Sequence, residues 1–314
     1  MTATDPSIRP NAAWQAYRAC TQLAHGHYEN FPVASWLLPR PLRGPVAAIY
    51  VFARRADDHA DEGQCDPVDR LAALDAMEGA LDATLVGNPP DDPLWPALAA
   101  TFARHELPAE PLRDLLSAFR QDVRQSRYRD FDEVLAYCQR SADPVGRLLL
   151  HLAGAATPEN LRDSDRICTA LQLINFLQDL HQDFIERDRL YIPQDDLARH
   201  GVDEARLARG EAAPEIQALL AEQIERAADL LQAGSTLPQR LRGRFALEIK
   251  LIVRGGWRIV ERLRAPKPGD PFVRPRLTAA DRVWIARGLW PGPARRPGPN
   301  RPPGPDRPLG REAP

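Results

Sequence analysis

The chain has 314 residues, 44% of them hydrophobic and 27% charged, and its 41 Lys and Arg against 43 Asp and Glu leave a net charge of −2. That length buries a core for one or two domains, and the charge balance argues against a nucleic-acid footprint because no basic face dominates. The four cysteines, Cys20, Cys65, Cys138 and Cys168, are scattered without a CxxC pair, which argues against a disulfide frame or a zinc site and for reduced thiols in the cytoplasm.

Helical periodicity dominates and strand alternation is nearly absent. In chain order the spacing predicts helices over 12–25, 45–62, 67–86, 95–105, 109–126, 130–142, 144–156, 158–186, 194–200, 214–235, 238–264 and 278–289. Pro39, Pro41, Pro67, the Gly87-Asn88-Pro89-Pro90 run, Pro108, Pro144, Pro158, Pro193, Pro214 and Pro238 separate them. Several of these prolines suit the first turn of the helix that follows. Helices without strands predict one all-α bundle over residues 1–290. From Pro291 to Pro314 the chain is mostly Pro, Gly, Arg and Asp, the composition of a disordered tail. The first residues lack a basic segment followed by an apolar run, so no signal peptide is expected. No apolar run approaches the roughly 18 residues of a membrane span.

Two of the helices carry acidic stripes. Asp57-Asp58-His59-Ala60-Asp61-Glu62 closes one of them; Asp57 and Asp61 share a face, as do Asp58 and Glu62 one step round. In the 158–186 helix Gln172, Asn175, Asp179 and Asp183 form one stripe, while Leu171, Leu173, Ile174, Phe176, Leu177 and Leu180 make the rest apolar. Like charges at that spacing repel, and buried charge needs a partner. Cations are the physical remedy. Oxygen donors with no Cys or His in the stripe favour a hard ion, Mg²⁺ first. Alone, the first stripe is more often a solvated helix end; the second is the stronger signal, and the two facing each other would line one cavity. Such a cavity suits a diphosphate, whose charge metal ions neutralise as a C–O bond breaks. The carbocation left behind needs a dry, apolar pocket with aromatic faces, for which Phe31, Tyr50, Phe52, Tyr137 and Phe176 are candidates. Tyr50 stands two turns above Asp57, and Arg54 stands one turn above Asp58, placed to hold a phosphate oxygen. Trp257 either lines the pocket or fills it, and Arg274 and Arg276 are as well suited to the surface. No glycine-rich dinucleotide motif follows a strand, and the Glu-x-x-His pairs of a di-iron bundle do not occur.

Four separated segments carry a family resemblance: His27 to Pro39 with Ala48 to Asp58, Tyr137-Cys138 with Ser141 to Gly146, Leu171 to Asp179, and Arg189-Leu190-Tyr191-Ile192-Pro193. In this order they resemble the squalene/phytoene synthase family, over residues 15–290. The resemblance implies an isoprenoid (terpenoid) synthase helical bundle with a central metal-diphosphate cavity and Mg²⁺ as cofactor. It implies Asp57, Asp58, Asp61, Glu62, Asn175, Asp179 and Asp183 on the metal side. Tyr50, Arg54, Gln172, Gln178 and Arg189 would then contact diphosphate or cation. Tyr137 and Tyr191 would line the site, with Asn30, Phe31, Phe52, Phe176 and Trp257 against the substrate.

Within the family, Asn30 to Ser35 and Asn175 to Asp179 are most similar to the bacterial hopanoid branch. That branch ionises presqualene diphosphate, rearranges the cyclopropylcarbinyl cation and lets water capture it as hydroxysqualene. Condensing members usually carry Arg where Gln178 stands, and Ser and Tyr where Asn30 and Pro32 stand. Less positive charge is expected to hold one diphosphate rather than two. The expected partners are an isoprenoid diphosphate, pathway enzymes before and after, and a membrane touched peripherally, with no nucleic acid. The nearest rival activity is head-to-head condensation of two farnesyl diphosphates to presqualene diphosphate or squalene. A non-catalytic assembly-factor relative would be expected to lose the acidic stripes, and this chain keeps both.

Overall fold

Prolines and caps set where the helices begin. Pro67, Pro158 and Pro214 each occupy the first helical turn, where their missing N–H costs nothing. Asp66, Asp130 and Thr157 cap by accepting from the backbone N–H of Val68, Glu133 and Asn160, each worth about 1 kcal/mol. A computed structural model describes residues 10–26, 37–61, 66–265, 272 and 274–287. Among these residues fifteen helices form: α1 (Pro10–Gly26), α2 (Arg40–Asp61), α3 (Pro67–Leu85), α4 (Leu94–His105), α5 (Glu110–Arg124), α6 (Phe131–Ser141), α7 (Asp143–Leu152), α8 (Pro158–Gln178), α9 (Leu180–Arg187), α10 (Gln194–Arg199), α11 (Glu204–Ala208), α12 (Pro214–Gly234), α13 (Leu237–Arg240), α14 (Gly243–Arg264) and α15 (Ala279–Arg287). Asn30, Phe31, Glu62 and the 291–314 tail lie outside the described residues.

Three differences from the spacing have local causes. The helix expected over 158–186 is divided at Asp179, whose φ of −101° and ψ of 5° leave the helical region. The break is slight, because the Asp179 N–H still donates to the Asn175 carbonyl at 2.9 Å and its own carbonyl accepts from Asp183 at 2.8 Å. The helix expected over 238–264 is two, since Leu241 and Arg242 are extended and Gly243 enters α14 at φ +60°, a conformation glycine adopts without strain. The short α11 was not expected; Asp203 caps it by accepting from the Arg206 N–H at 2.9 Å.

In the core α2 packs on α1, α3, α4, α5 and α7, while α8 packs on α6, α7, α12 and α14. The approach of α8 to α12 depends on Gly234, where a Cβ would stand 2.6 Å from the Asp163 carbonyl oxygen. A second, smaller core of Leu180, Leu190, Ile192, Leu197, Val202, Leu207, Ile216 and Leu219 lies under the segment from α9 to α12. Asp188 turns the chain after α9 with φ +52°. The next residues then run beside 126–129, with the Leu190 N–H donating to the Ser126 carbonyl at 3.0 Å and Gln194 to that of Tyr128 at 2.9 Å. That short pairing fixes Arg189 and Tyr191 against the end of α5. No helix among the described residues is long and apolar enough to cross a membrane.

Candidate active site

The two acidic stripes face each other. Arg187, at the end of α9, stands between them: its Nη1 is 2.8 Å from Asp183 and its Nε 3.7 Å from Asp61. Arg189 adds a closer bond to Asp61, 2.6 Å from Nη1 to Oδ1. On α2, Arg54 lies 3.2 Å from Asp57 and 2.7 Å from Asp58. Arg274, before α15, grips Asp179 with Nε 2.5 Å from one oxygen and Nη2 donating to the other at 3.0 Å. Burial raises the carboxyl pKa of Asp179, with Arg274 opposing it and Asp183 adding to it. Burial likewise raises Asp183, against the pull of Arg187. Both carboxylates need positive charge beyond what they have.

The donors fit a hard divalent ion in kind. Asp57, Asp61, Asn175, Asp179 and Asp183 offer only oxygen, and a guanidinium already fills the space between the walls. Among the described residues no three acidic, His or Cys side chains converge on one point. Entry of a metal ion would require Arg187 to leave the gap, which its half-exposed side chain permits.

Aromatic rings form the apolar wall. Phe176 and Tyr191 stack at 3.7 Å with 4° between planes. Tyr137 lies 5.6 Å from Tyr191 and 6.1 Å from Phe176, and Tyr128 stacks on Tyr191 at 5.5 Å. The sequence reading did not include Tyr128, nor the carboxylate at the centre of this group. Asp122, near the end of α5, accepts from Tyr137 Oη at 2.7 Å, and Tyr191 Oη is 3.5 Å from its other oxygen. Arg189 Nη2 donates to the Asp122 carbonyl at 3.1 Å. Burial pushes the Asp122 carboxyl up to about 7, against the lowering effects of Arg189 and the Tyr137 hydrogen bond.

That shift has a signed consequence. The unfolded chain ionises near the ordinary carboxylate value of about 4, the folded one near 7. Below the lower value the group costs nothing; as pH rises through the interval, stability is lost because folding then opposes ionisation. Asp122→Asn removes this loss. Urea midpoints of the variant and the parent should agree at about pH 4 and separate in the variant's favour by pH 8. A difference that stays constant across this range would refute the raised value.

Several residues expected at the site are engaged by neighbouring protein groups. Arg54 holds Asp57 and Asp58 rather than facing an open phosphate position. Arg189 links Asp61 to α5. Gln178 is buried and donates from Nε2 to the Pro275 carbonyl at 2.7 Å, so it anchors the segment that carries Arg274. Phe52 is fully buried with its ring edge-on to Trp95, 6.2 Å away, in the core between α2 and α4 and outside the aromatic wall. Trp257 and Tyr50 are half-buried against the main core, and Gln172 is half-buried on α8.

Residues 24–281 match the model of the squalene/phytoene synthase family. The chain is 37% identical over 241 residues to a hydroxysqualene synthase of Rhodopseudomonas palustris, covering 76% of this chain and 81% of that one. It is 34% identical over 236 residues to a phytoene synthase of Mycobacterium tuberculosis, covering 74% and 76% of the two chains. Among solved structures, squalene synthase HpnC from Alicyclobacillus acidocaldarius superposes with a TM-score of 0.76 at 36% identity, covering 82% of this chain and 95% of that one. The helical architecture agrees with these likenesses: the chain belongs to the squalene/phytoene synthase family of isoprenoid synthases.

Proposed function

We propose that this chain converts presqualene diphosphate to hydroxysqualene, with Mg²⁺ held by Asp57, Asp61, Asn175, Asp179 and Asp183. The observation that carries the reading is Gln178. A neutral side chain stands at the end of α8, beside Asp179, and is occupied by the Pro275 carbonyl, which supports one diphosphate better than two. The relatives named hydroxysqualene synthase, at 34% to 37% identity, add support. When bound, Mg²⁺ would neutralise charge on the departing diphosphate.

The protein's own groups do the rest. Arg187 and Arg274 exchange their carboxylate partners for phosphate oxygens, which guanidinium binds in bidentate fashion. Phe176, Tyr191 and Tyr137 face the carbocation with their π-electrons and keep water scarce. Capture by one water forms the C–O bond and releases one proton. Tyr137 accepts that proton as it passes its own to Asp122 across 2.7 Å, and a carboxyl group near 7 is matched to such a transfer. The apolar substrate reaches the chain from a membrane surface, without a spanning helix.

Purified protein with Mg²⁺, given presqualene diphosphate in one tube and farnesyl diphosphate in another, tests this by product mass. Hydroxysqualene from the first tube alone is expected. Presqualene diphosphate or squalene from the second would assign the condensing reaction instead, and silence in both would refute catalysis on either.

A further inference from the structure

At the end of α2 far from the acidic stripes, α1, α2 and α4 border an open cavity of about 390 Å³. Trp14, Tyr17, Arg18, Arg40, Gly44 and Arg104 line it, and no acidic residue does. The arginines come from three different helices. Neither α1 nor α4 contains an acidic residue, and α2 contains none before Asp57. The exposed Arg129, Arg209 and Arg264, elsewhere on this molecule, are each paired with a carboxylate. Among the described residues Arg18, Arg40 and Arg104 have no such partner. Three guanidinium groups around an open cavity, on a chain of net charge −2, are a local concentration of positive charge.

The floor is built, not incidental. Tyr17 Oη is 2.9 Å from Thr101 Oγ1, joining α1 to α4. A Cβ on Gly44 would stand 2.7 Å from the Tyr17 ring, so α1 and α2 meet there without room for a side chain. At the rim Trp14 is 56% exposed, and the Arg18 guanidinium lies 4.8 Å over its ring. Convergent arginines select an anion with several oxygens, phosphate above all. A large exposed indole beside them is stable where water gives way to an apolar phase. Together they fit the headgroup layer of an anionic bilayer. At 1.5 Å per residue, Gly44 and Asp57 are about 20 Å apart along α2, so the diphosphate end of the bundle would face away from the lipid.

We propose that this face docks the protein on anionic phospholipid, with a lipid phosphate seated among Arg18, Arg40 and Arg104 and Trp14 in the headgroup layer. Its use in delivering an apolar substrate rests on the function proposed above. The docking itself is read without substrate, so the two readings fail separately.

Flotation of the full chain with phosphatidylcholine vesicles, with and without phosphatidylglycerol, is the test. The parent should float only with phosphatidylglycerol and be released by salt. The Arg18→Gln, Arg40→Gln, Arg104→Gln triple variant should keep its melting temperature and bind roughly 100-fold more weakly, with Arg40→Gln alone about fivefold weaker. A charge-matched control, Arg129→Gln, Arg209→Gln and Arg264→Gln, should float like the parent. The proposal is overturned if the parent stays in solution with anionic vesicles, or if the triple variant binds as the parent or the control does. Release of bound protein by inorganic phosphate at constant ionic strength would also overturn it, by assigning the pocket to a soluble anion.

Discussion

Asp179→Asn is expected to cut turnover of presqualene diphosphate by roughly 10²–10³-fold, the loss that follows removal of one charge-stabilising group from a preorganised site. The fold should survive. The Asp179 side chain makes no capping bond at the start of α9, and the backbone bonds on either side of it do not involve the carboxylate. Burial and Asp183 both oppose its ionisation, so an amide relieves a cost. Arg274 loses its partner, but it is 35% exposed and water can take over. Stability should therefore change by no more than about 1 kcal/mol. Single-turnover rates across a Mg²⁺ titration, with a thermal melt alongside, separate the two effects. Full activity in Asp179→Asn would remove the second stripe from the site, and lost activity with a collapsed melt would make Asp179 structural.

The stripes were legible because they break a rule. Asp179 and Asp183 interrupt an otherwise apolar helix at a period of four, and a packed core tolerates that only with compensation. What the spacing hid was the source of compensation. Arg187 looks like an ordinary cation in a last helical turn, and its bond to Asp61 spans elements far apart in sequence. Asp122 sits in Arg120-Gln121-Asp122-Val123-Arg124, which reads as a solvated helix end. One signal was available: Leu115, Ala118, Phe119 and Asp122 share the i, i+3, i+4, i+7 face of α5, and Leu115 and Ala118 on it are buried. The carboxylate therefore points where apolar residues point. The partners of Gln178 and Arg189 were hidden for a different reason. The Pro275 and Asp122 carbonyls are backbone positions set by the tertiary fold, and Asp61, the ion-pair partner of Arg189, lies on a helix far away in sequence. The break at Asp179 was equally invisible, since the hydrogen bonds on both sides of it continue.

Arg189→Gln should produce the largest stability loss, about 3–5 kcal/mol, the range for stripping one partner from a buried ion pair. The guanidinium is 10% exposed and Asp61 14%, so water cannot replace the lost charge. Among the described residues Asp61 would keep only Arg187, 3.7 Å away, and Asp122 would lose the cation that opposes the rise of its pKa. The loss should be greater at pH 8, where Asp122 is ionised in the parent, than at about pH 5, where it is protonated. Adding Asp61→Asn removes one stranded charge and should recover part of the stability, a non-additivity expected of groups in contact. Mg²⁺ alone, without substrate, should raise the melting temperature of Arg189→Gln more than that of the parent, because a cation between the stripes replaces what the arginine supplied. A loss under about 1 kcal/mol would place the Arg189–Asp61 bond among ordinary surface pairs. It would then favour for Arg189 the diphosphate contact that the family resemblance implies. A large loss with rescue by Asp61→Asn would instead make Arg189 the residue that allows an acidic site to fold before its metal arrives.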